Sequence, residues 1–404
     1  MKRMTLLCLS ILFTWATAHA GGFQVRLQGQ KQTGMGLIGT PMNFGASSMF
    51  YNPGALSMMK QNYSFELGAN FINSHILYES TTSVYSAESE NPIGTPIYFY
   101  GATKLNEKLS IGLGFYTPYG SSTVWDDNWV GKHLIQNISL KAYFMQPTVS
   151  YKIMDKLSIG AGMVIAQGTV DMQKALPYSE SSYVRLKGSD INFGFNVGVY
   201  FQATPKLSVG VDYRSKITMN VDNGIATFNI PSSLESVISQ KNNFSSELPL
   251  PANLDFGINY QITPQLSAAV EFNYVFWSAY KELSFTFEED GDLLDNTSPR
   301  EYSDVFIPRI GFQYILNQTL TFRAGAYYDK TPTNEEYFSP ETVSLDTFSY
   351  TFGIALQAAK NLSIDLTYLG THGKEGVKVY QPDNFEGRYK TAASVLGLGI
   401  SYNF

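Results

Sequence analysis

The feature that most constrains this chain is a two-residue alternation of apolar and polar side chains that recurs along most of its length. From Leu320 to Tyr328 every second residue is apolar, and the residues between them are mostly polar or small. Residues 266–276 and 362–368 show the same pattern. A period of two predicts β-strands whose two faces meet different surroundings. Because strands of a soluble β-sandwich also alternate, the number and length of the segments decide the fold class.

Fourteen segments alternate in this way. An even number of strands lets an antiparallel barrel close without a free edge. Tight turns alternate with longer connections, of which 221–250 is the longest, and this asymmetry is typical of periplasmic turns and extracellular loops. The predicted strands are 62–79, 94–105, 108–118, 139–154, 156–175, 185–203, 206–220, 251–263, 265–288, 303–316, 319–332, 346–359, 361–371 and 390–404.

Composition and a leader-like start point to a membrane location. Charged residues make up 15% of the chain, against roughly 25% in soluble domains. Residues 1–20 are predicted to be a cleaved signal peptide, with Lys2 and Arg3 before an apolar stretch and Ala-His-Ala at 18–20. The remaining chain has no apolar run of about 18 residues, which excludes a helical membrane span. We therefore predict an all-β fold, a fourteen-stranded antiparallel transmembrane β-barrel of an outer membrane.

Loss of the leader would also limit the chemistry of the chain. It would remove Cys8, the single cysteine, and would lower the formal charge from −6 to −8. No disulfide framework or cysteine metal site is then possible, and we expect no cofactor and no metal. A net negative chain without basic runs is not expected to bind nucleic acid.

Residues 21–61 lack the pattern of a barrel strand, because they contain many glycine and proline residues, which break regular structure. They are also too apolar for a disordered tail. A barrel of fourteen strands has a lumen wider than its own side chains fill. We predict a compact hatch over 21–61 inside a barrel formed by 62–404. The residues that break regular structure are Gly34, Gly36, Gly39, Pro41, Gly45, Pro53 and Gly54.

Several motifs resemble the FadL/TodX family of outer-membrane transporters of hydrophobic compounds. The start Gly-Gly-Phe-Gln at 21–24 and the stretch Ser-Met-Phe-Tyr-Asn-Pro-Gly-Ala-Leu at 48–56 are similar to the family's start and hatch motif. Gly54 stands where the family usually has alanine. The resemblance continues to the late hairpin at 308–332 and covers essentially the whole chain after residue 20. It implies passive uptake of hydrophobic molecules, with long-chain fatty acids as the first candidates, by loop capture, luminal binding, hatch movement and lateral exit.

The alternation places several charged residues on the luminal face. A fatty-acid carboxylate would favour Arg309 or Arg323, through charge-assisted hydrogen bonds; alternatively, these arginines neutralise luminal carboxylates and hold the wall together. A tight turn at 263–264 would bring Asp255 and Glu271 face to face, which requires a cation or a raised pKa. An arginine that bridged them would be structural. The resemblance also implies that Phe23 contacts ligand.

Two further groups of residues are candidates for gating and capture. Asn52, Pro53 and Gly54 form the hatch motif, where asparagine fixes a tight turn and the resemblance implies a gating role. The apolar residues of the longest connection with helical spacing suggest a capture groove, and packing onto neighbouring loops would explain them equally well. They are Leu234, Val237 and Ile238.

The end of the chain and the outer surface suggest partners. The last strand alternates and ends in Phe404, which resembles the signal read by the barrel-assembly machinery. Lipid and lipopolysaccharide of the outer membrane should surround a monomeric barrel, and the acidic clusters at 88–90 and 288–290 would bridge lipopolysaccharide through divalent ions. The alternatives are a general diffusion porin, a structural or adhesive barrel, and an outer-membrane lipid enzyme. The hatch argues against an open porin.

Overall fold

The computed structural model of this chain describes residues 22–404, so the predicted leader at 1–20 lies outside the described residues. The described residues contain twenty β-strands: β1 (Tyr63–Glu79), β2 (Ser86–Glu88), β3 (Ile97–Lys104), β4 (Leu109–Val124), β5 (Asn137–Met154), β6 (Leu157–Ala175), β7 (Tyr183–Thr204), β8 (Leu207–Arg214), β9 (Ile217–Asn229), β10 (Lys241–Leu250), β11 (Asn253–Gln261), β12 (Leu266–Val275), β13 (Glu282–Phe287), β14 (Asn296–Pro299), β15 (Val305–Ile315), β16 (Leu320–Asp329), β17 (Thr347–Ala359), β18 (Leu362–Gly373), β19 (Gly376–Tyr380) and β20 (Phe385–Asn403).

Fourteen of these strands form the closed antiparallel barrel that the sequence predicts. The order around the wall is β1, β3, β4, β5, β6, β7, β8, β11, β12, β15, β16, β17, β18 and β20. The first and last strands close the barrel, because β1 pairs with β20 from Ser64↔Asn403 to Glu79↔Arg388. Closure leaves no free edge. No helix among residues 22–404 is long and apolar enough to cross a membrane.

The two faces of the wall have the polarity that the alternation predicts. On β1, Phe65, Leu67 and Phe71 are exposed on the outer face. Between them, Glu66 and Asn70 are buried toward the lumen. An outer surface of exposed large apolar side chains matches a hydrocarbon environment, whereas water would disfavour it.

The structure corrects the strand predictions at the loop end of the barrel. The predicted strand 265–288 is two strands, since β12 ends at Val275 and a 3-10 turn at Trp277–Ala279 precedes β13. The connection 221–250 is mostly not a loop, because β9 and β10 pair with each other above β8 and β11. Pro251 lies at the break between β10 and β11, where it has no backbone N–H to donate.

The hatch lies inside the barrel and contacts its wall on nearly opposite sides. It contains two short helices, α1 (Gln30–Thr33) and α2 (Ser48–Tyr51), and a 3-10 helix at Pro53–Met58. The Gly36 backbone N–H donates to Thr351 Oγ1 on β17 at 2.9 Å, and Ser57 N–H donates to Ser150 Oγ on β5 at 3.1 Å. The predicted hatch inside the lumen is confirmed.

Candidate functional site

The barrel wall is interrupted between β1 and β4 at the loop end. Pairing of β1 with β3 stops at Ala69↔Ile97, and pairing of β3 with β4 stops at Tyr98↔Tyr116. β4 runs on to Val124, but beyond Tyr116 its strand partner among the described residues is β5. The connection 92–96 crosses the interruption in place of a strand. We call this interruption the lateral window.

The start of the hatch lines the lateral window from inside. Val25 N–H donates to Pro118 O at 2.7 Å, and Gly120 N–H donates to Phe23 O at 3.0 Å. These bonds follow the register shift of β4 against β5, which falls between Tyr116 and Tyr119. The first hatch residues therefore act as an inner pairing partner for β4 where β3 no longer supplies one.

Two cavities meet at this point. The window cavity, of about 550 Å³, opens at the lateral window and is lined by the hatch start, the connection 92–97 and inward residues of β16, β18 and β20. Its polar lining includes Arg26, Arg309 and Asp329. The second, the loop cavity, has a volume of about 70 Å³. Its apolar lining includes Phe23, Leu140, Met172, Met219, Leu250 and Phe285.

Phe23 lies between the two cavities. Its ring packs edge-on against Trp277 at a centroid distance of 5.0 Å and against Tyr280 at 6.1 Å. Gly22 and Gln24, its chain neighbours, line the window cavity, while Phe23 itself lines the loop cavity. The structure thus places this residue beside an apolar space, and its contact with ligand stays a prediction.

A buried ion pair lies next to the loop cavity and was not predicted from the sequence. Arg300 Nη2 contacts Glu341 Oε2, and Arg300 is 2% exposed. Burial by itself lowers the pKa of Arg300, but the charges of Glu341 and of the Tyr280 and Tyr302 hydroxyls raise it above the ordinary value. Glu341 also lines the loop cavity. Both residues lie in connections, where no alternation marks which side chains point inward.

Asp255 and Glu271 do not face each other as predicted, because Asp255 lies opposite Asn273 and Glu271 lies opposite Gly257 in the register of β11 and β12. Both carboxylates nevertheless contact a cation, which comes from the hatch. Arg26 Nη1 contacts Asp255 Oδ2 at 3.1 Å, and Arg26 Nη2 contacts Glu271 Oε1 at 3.8 Å. Glu271 Oε2 also accepts hydrogen bonds from the backbone N–H groups of Gly39 and Thr40, at 3.0 and 2.9 Å. This network fixes the hatch to β11 and β12.

The two arginines proposed to bind a carboxylate are both engaged with the wall. Arg309 Nη1 contacts Glu271 Oε1 at 3.0 Å, and Arg309 lines the window cavity. Arg323 Nη1 contacts Asp365 Oδ1 at 2.7 Å, and its guanidinium lies 5.8 Å from the ring centroid of Phe44 in the hatch. Arg323 lines neither of the two cavities. Both arginines neutralise luminal carboxylates, and ligand contact stays a prediction.

The hatch motif forms a hydrogen-bonded turn, the Asn52 corner, which packs directly on the barrel wall. Asn52 Nδ2 donates to Thr40 O and to Val199 O, each at 2.9 Å, and Asn52 Oδ1 accepts from Gly54 N–H at 3.0 Å. A Cβ on Gly54 would lie 2.8 Å from Gly198 O. Pro53 begins the 3-10 helix that follows. The motif thus holds the hatch close to β7, and its gating role stays a prediction.

The loop-capture residues do not share one apolar face. The helical spacing predicted such a face, but the segment forms only a short 3-10 turn at Ser232–Leu234 between β9 and β10. Ile238 is 2% exposed and packs in an apolar cluster under the loops, whereas Val237 is 54% exposed. Leu234 is half-buried.

Phe404 lies at the turn end of the closing seam. Its ring stacks on Tyr63 at a centroid distance of 4.7 Å, and the two residues exchange backbone hydrogen bonds of 2.8 and 3.0 Å.

Within residues 22–404, no group of three or more His, Cys, Asp or Glu side chains is arranged to hold a metal ion.

Comparison with known proteins agrees with this architecture. The outer membrane protein P1 of Haemophilus influenzae is 25% identical over 462 residues, which cover 99% of each chain. The long-chain fatty acid transport protein of Escherichia coli O6:H1 is 22% identical, with 98% of each chain covered.

Solved structures show the same fold. A Pseudomonas aeruginosa FadL homologue matches with a TM-score of 0.84 and 19% identity, covering 95% of this chain and 100% of that one. The toluene transporter TbuX of Ralstonia pickettii matches with a TM-score of 0.74 and 20% identity, covering 93% and 98%.

The sequence model of one family, described as "Outer membrane protein transport protein (OMPP1/FadL/TodX)", matches residues 11–404. Because this match spans nearly the whole chain and the barrel contains a hatch, the chain is an outer-membrane protein that belongs to the OMPP1/FadL/TodX family of transporters of hydrophobic compounds.

Proposed function

We propose that this protein moves long-chain fatty acids and similar hydrophobic molecules passively from the loop cavity, past Phe23, to the window cavity and out through the lateral window. The observation that carries the proposal is the position of Phe23 between an apolar cavity and an interruption of the wall. An apolar ligand gains about 25 cal/mol for each Å² that it removes from water. Lateral exit lets it reach the membrane without returning to water.

The hatch start supplies the moving part. Val25 and Phe23 are held to β4 by single backbone hydrogen bonds, whereas the Arg26 network and the Asn52 corner fix the hatch behind them. Displacement of residues 22–25 alone would join the two cavities. The rest of the hatch would remain in place and keep the lumen closed to ions.

The rival functions fit the structure less well. A general diffusion porin needs a continuous aqueous path, and the hatch contacts the wall on nearly opposite sides of the lumen. A lipid enzyme needs an activated nucleophile or a metal, and the two arginines of the window cavity, Arg26 and Arg309, are already in ion pairs with wall carboxylates. We therefore infer a non-enzymatic, monomeric transporter in contact with lipopolysaccharide, assembled through the Phe404 strand.

A reversible crosslink tests this path. Gln24 and Tyr119 form an isolated antiparallel bridge between the hatch start and β4. In a narrow antiparallel pair the Cα atoms are about 4.5 Å apart, within reach of a disulfide. Removal of the predicted leader leaves no native cysteine. The variant Gln24→Cys/Tyr119→Cys should therefore lose uptake of labelled oleate when oxidised and regain it when reduced.

The controls are the two single-cysteine variants, which should transport in both redox states. Cells need to lack their own fatty-acid transporter, and labelled toluene serves as a second cargo. Full oleate and toluene uptake through the oxidised double variant would contradict a path past the hatch start.

A further inference from the structure

The window cavity contains polar atoms without partners. Arg26 Nε, Arg309 Nε and Asp329 Oδ1 are buried, and none of them has a hydrogen-bond partner among residues 22–404. The three residues are only 8%, 4% and 8% exposed, and all three line the window cavity. Buried polar groups in folded proteins are nearly always hydrogen-bonded. Two donors and one acceptor left open at one cavity indicate a site for a ligand's polar group.

The three groups lie close enough to serve one head group. Arg26 Nη2 and Arg309 Nη1 contact the same atom, Glu271 Oε1, at 3.8 and 3.0 Å. Arg309 on β15 lies directly opposite Tyr327 on β16, and Asp329 follows two residues later on the same face. Such diagonal neighbours on adjacent strands have Cβ atoms about 7–8 Å apart. A carboxyl or hydroxyl group with its own donor and acceptor can bridge this separation.

The charge of the site decides which head groups fit. Asp255, Glu271 and Asp329 supply three negative charges, and Arg26 and Arg309 supply two positive charges. The two arginines already contact Asp255 and Glu271, so the Asp329 carboxylate is the charge in excess. An entering carboxylate would add a second negative charge beside it, in surroundings that screen charges poorly.

Groups from the neighbouring elements do not reverse this balance. β8 contributes one acidic and one basic residue, Asp212 and Arg214, which are both buried and whose formal charges sum to zero. Asp346, which precedes β17, adds a further negative charge near Asp329. Lys141 lines the outer mouth of the cavity, where its side chain is exposed.

We propose that the window cavity binds an uncharged polar head group, which donates a hydrogen bond to Asp329 and accepts one from Arg26 or Arg309. An undissociated carboxylic acid or the hydroxyl of a long-chain alcohol satisfies both roles. A hydrocarbon leaves all three groups unpaired, and a carboxylate anion has no proton to give to Asp329. This inference rests on the proposed transport path and names the class of cargo that it favours: amphiphiles that pass in neutral form.

Matched twelve-carbon probes test the inference. Labelled dodecan-1-ol, dodecanoic acid and dodecane are offered at pH 5 and pH 8 to cells that express the protein and lack their own transporter. In the native protein, dodecanoic acid uptake relative to dodecan-1-ol should fall on going from pH 5 to pH 8. In Asp329→Asn the pH 8 ratio should rise roughly tenfold, the equivalent of one pKa unit of interaction.

The matched control is Asp171→Asn. Asp171 is a carboxylate on β6 that pairs with Arg185 and lines neither cavity. Its ratio should equal that of the native protein. Correct assembly of each variant is checked by heat-modifiable migration.

The outcomes separate the two proposals. A ratio that is the same at pH 5 and pH 8 in the native protein, or the same in Asp329→Asn, overturns the head-group assignment while transport stands. Fastest uptake of dodecane overturns it as well. If no probe enters faster than in cells without the protein, both proposals fail. Should Asp329→Asn not assemble, Asp329→Ser takes its place with the same expected rise, because dodecanoic acid itself ionises between pH 5 and pH 8 and the native protein alone does not separate this effect from the site.

Discussion

At the scale of single residues, this protein uses glycine where the hatch meets the wall. Gly36 has a φ of +72°, and a Cβ at this position would lie 2.9 Å from Ile310 O and 3.2 Å from Ala326 N. The glycine that the sequence predicted to break regular structure here thus has a physical cause. Only a residue without a side chain can adopt this backbone and let the hatch lie directly on β15 and β16.

This packing makes Gly36→Ala a specific test. The substitution should lower the free energy of unfolding by about 2 kcal/mol, because it adds left-handed backbone strain to a contact with rigid backbone atoms. Denaturant titration of the folded, detergent-solubilised protein measures the change. The control is Gly376→Ala on β19, where the nearest atom is 3.8 Å away. A loss at Gly36 no larger than at Gly376 would contradict the packing argument.

At the scale of elements, ion pairs between side chains of opposite charge join the hatch to the wall. The hatch contributes Arg26, and β11 and β12 contribute Asp255 and Glu271. Both carboxylates are buried, and removal of the hatch would take the Arg26 partner away from each of them. The window, by contrast, is held by backbone bonds between Phe23, Val25 and β4. The part of the hatch held by ion pairs and the part held by backbone bonds to β4 therefore meet between residues 25 and 26.

Removing the hatch cation should reveal this coupling. We expect Arg26→Met to lower the free energy of unfolding by about 3 kcal/mol, because Asp255 would lose its buried partner. The double variant Arg26→Met/Asp255→Asn should recover part of this loss, since it leaves no unpaired charge at Asp255. Denaturant titrations of both variants give the comparison. If the second substitution costs as much again, the two residues are not coupled.

At the scale of the whole molecule, the closed barrel and its hatch separate the lumen from the membrane except at the lateral window. The β1–β20 seam closes the wall, and the hatch contacts β5 and β17 on nearly opposite sides. Among residues 22–404, strand pairing in the wall is thus interrupted at the lateral window, and the hatch lies across the lumen.

Planar-bilayer recording should show this closure. The native protein is expected to carry no large steady ohmic current, because the hatch fills the lumen with buried side chains. A porin recorded in the same membrane serves as the positive control. A constant large conductance from the native protein would contradict a closed lumen and would favour the porin alternative.

Much of the fold was predictable because a period of two indicates a β-strand with two different faces, and this period recurs in many segments. The fourteen strands, the closed barrel and the hatch follow from local alternation, from strand number and from glycine and proline density. The errors fell at the loop end, where 265–288 was predicted as one strand and 221–250 as a connection. Outside the membrane both faces of a strand can be polar, so the alternation weakens and cannot locate a break such as Trp277–Ala279.

The sequence by itself therefore determined which face of each strand meets lipid, and that residues 21–61 must lie apart from the wall. Only the tertiary structure decided that Arg26 pairs with Asp255, that Phe23 separates two cavities and that β1 and β4 part at the window. The reason is separation along the chain. Arg26 and Asp255 are 229 positions apart, whereas alternation reports only on the immediate neighbours of each residue.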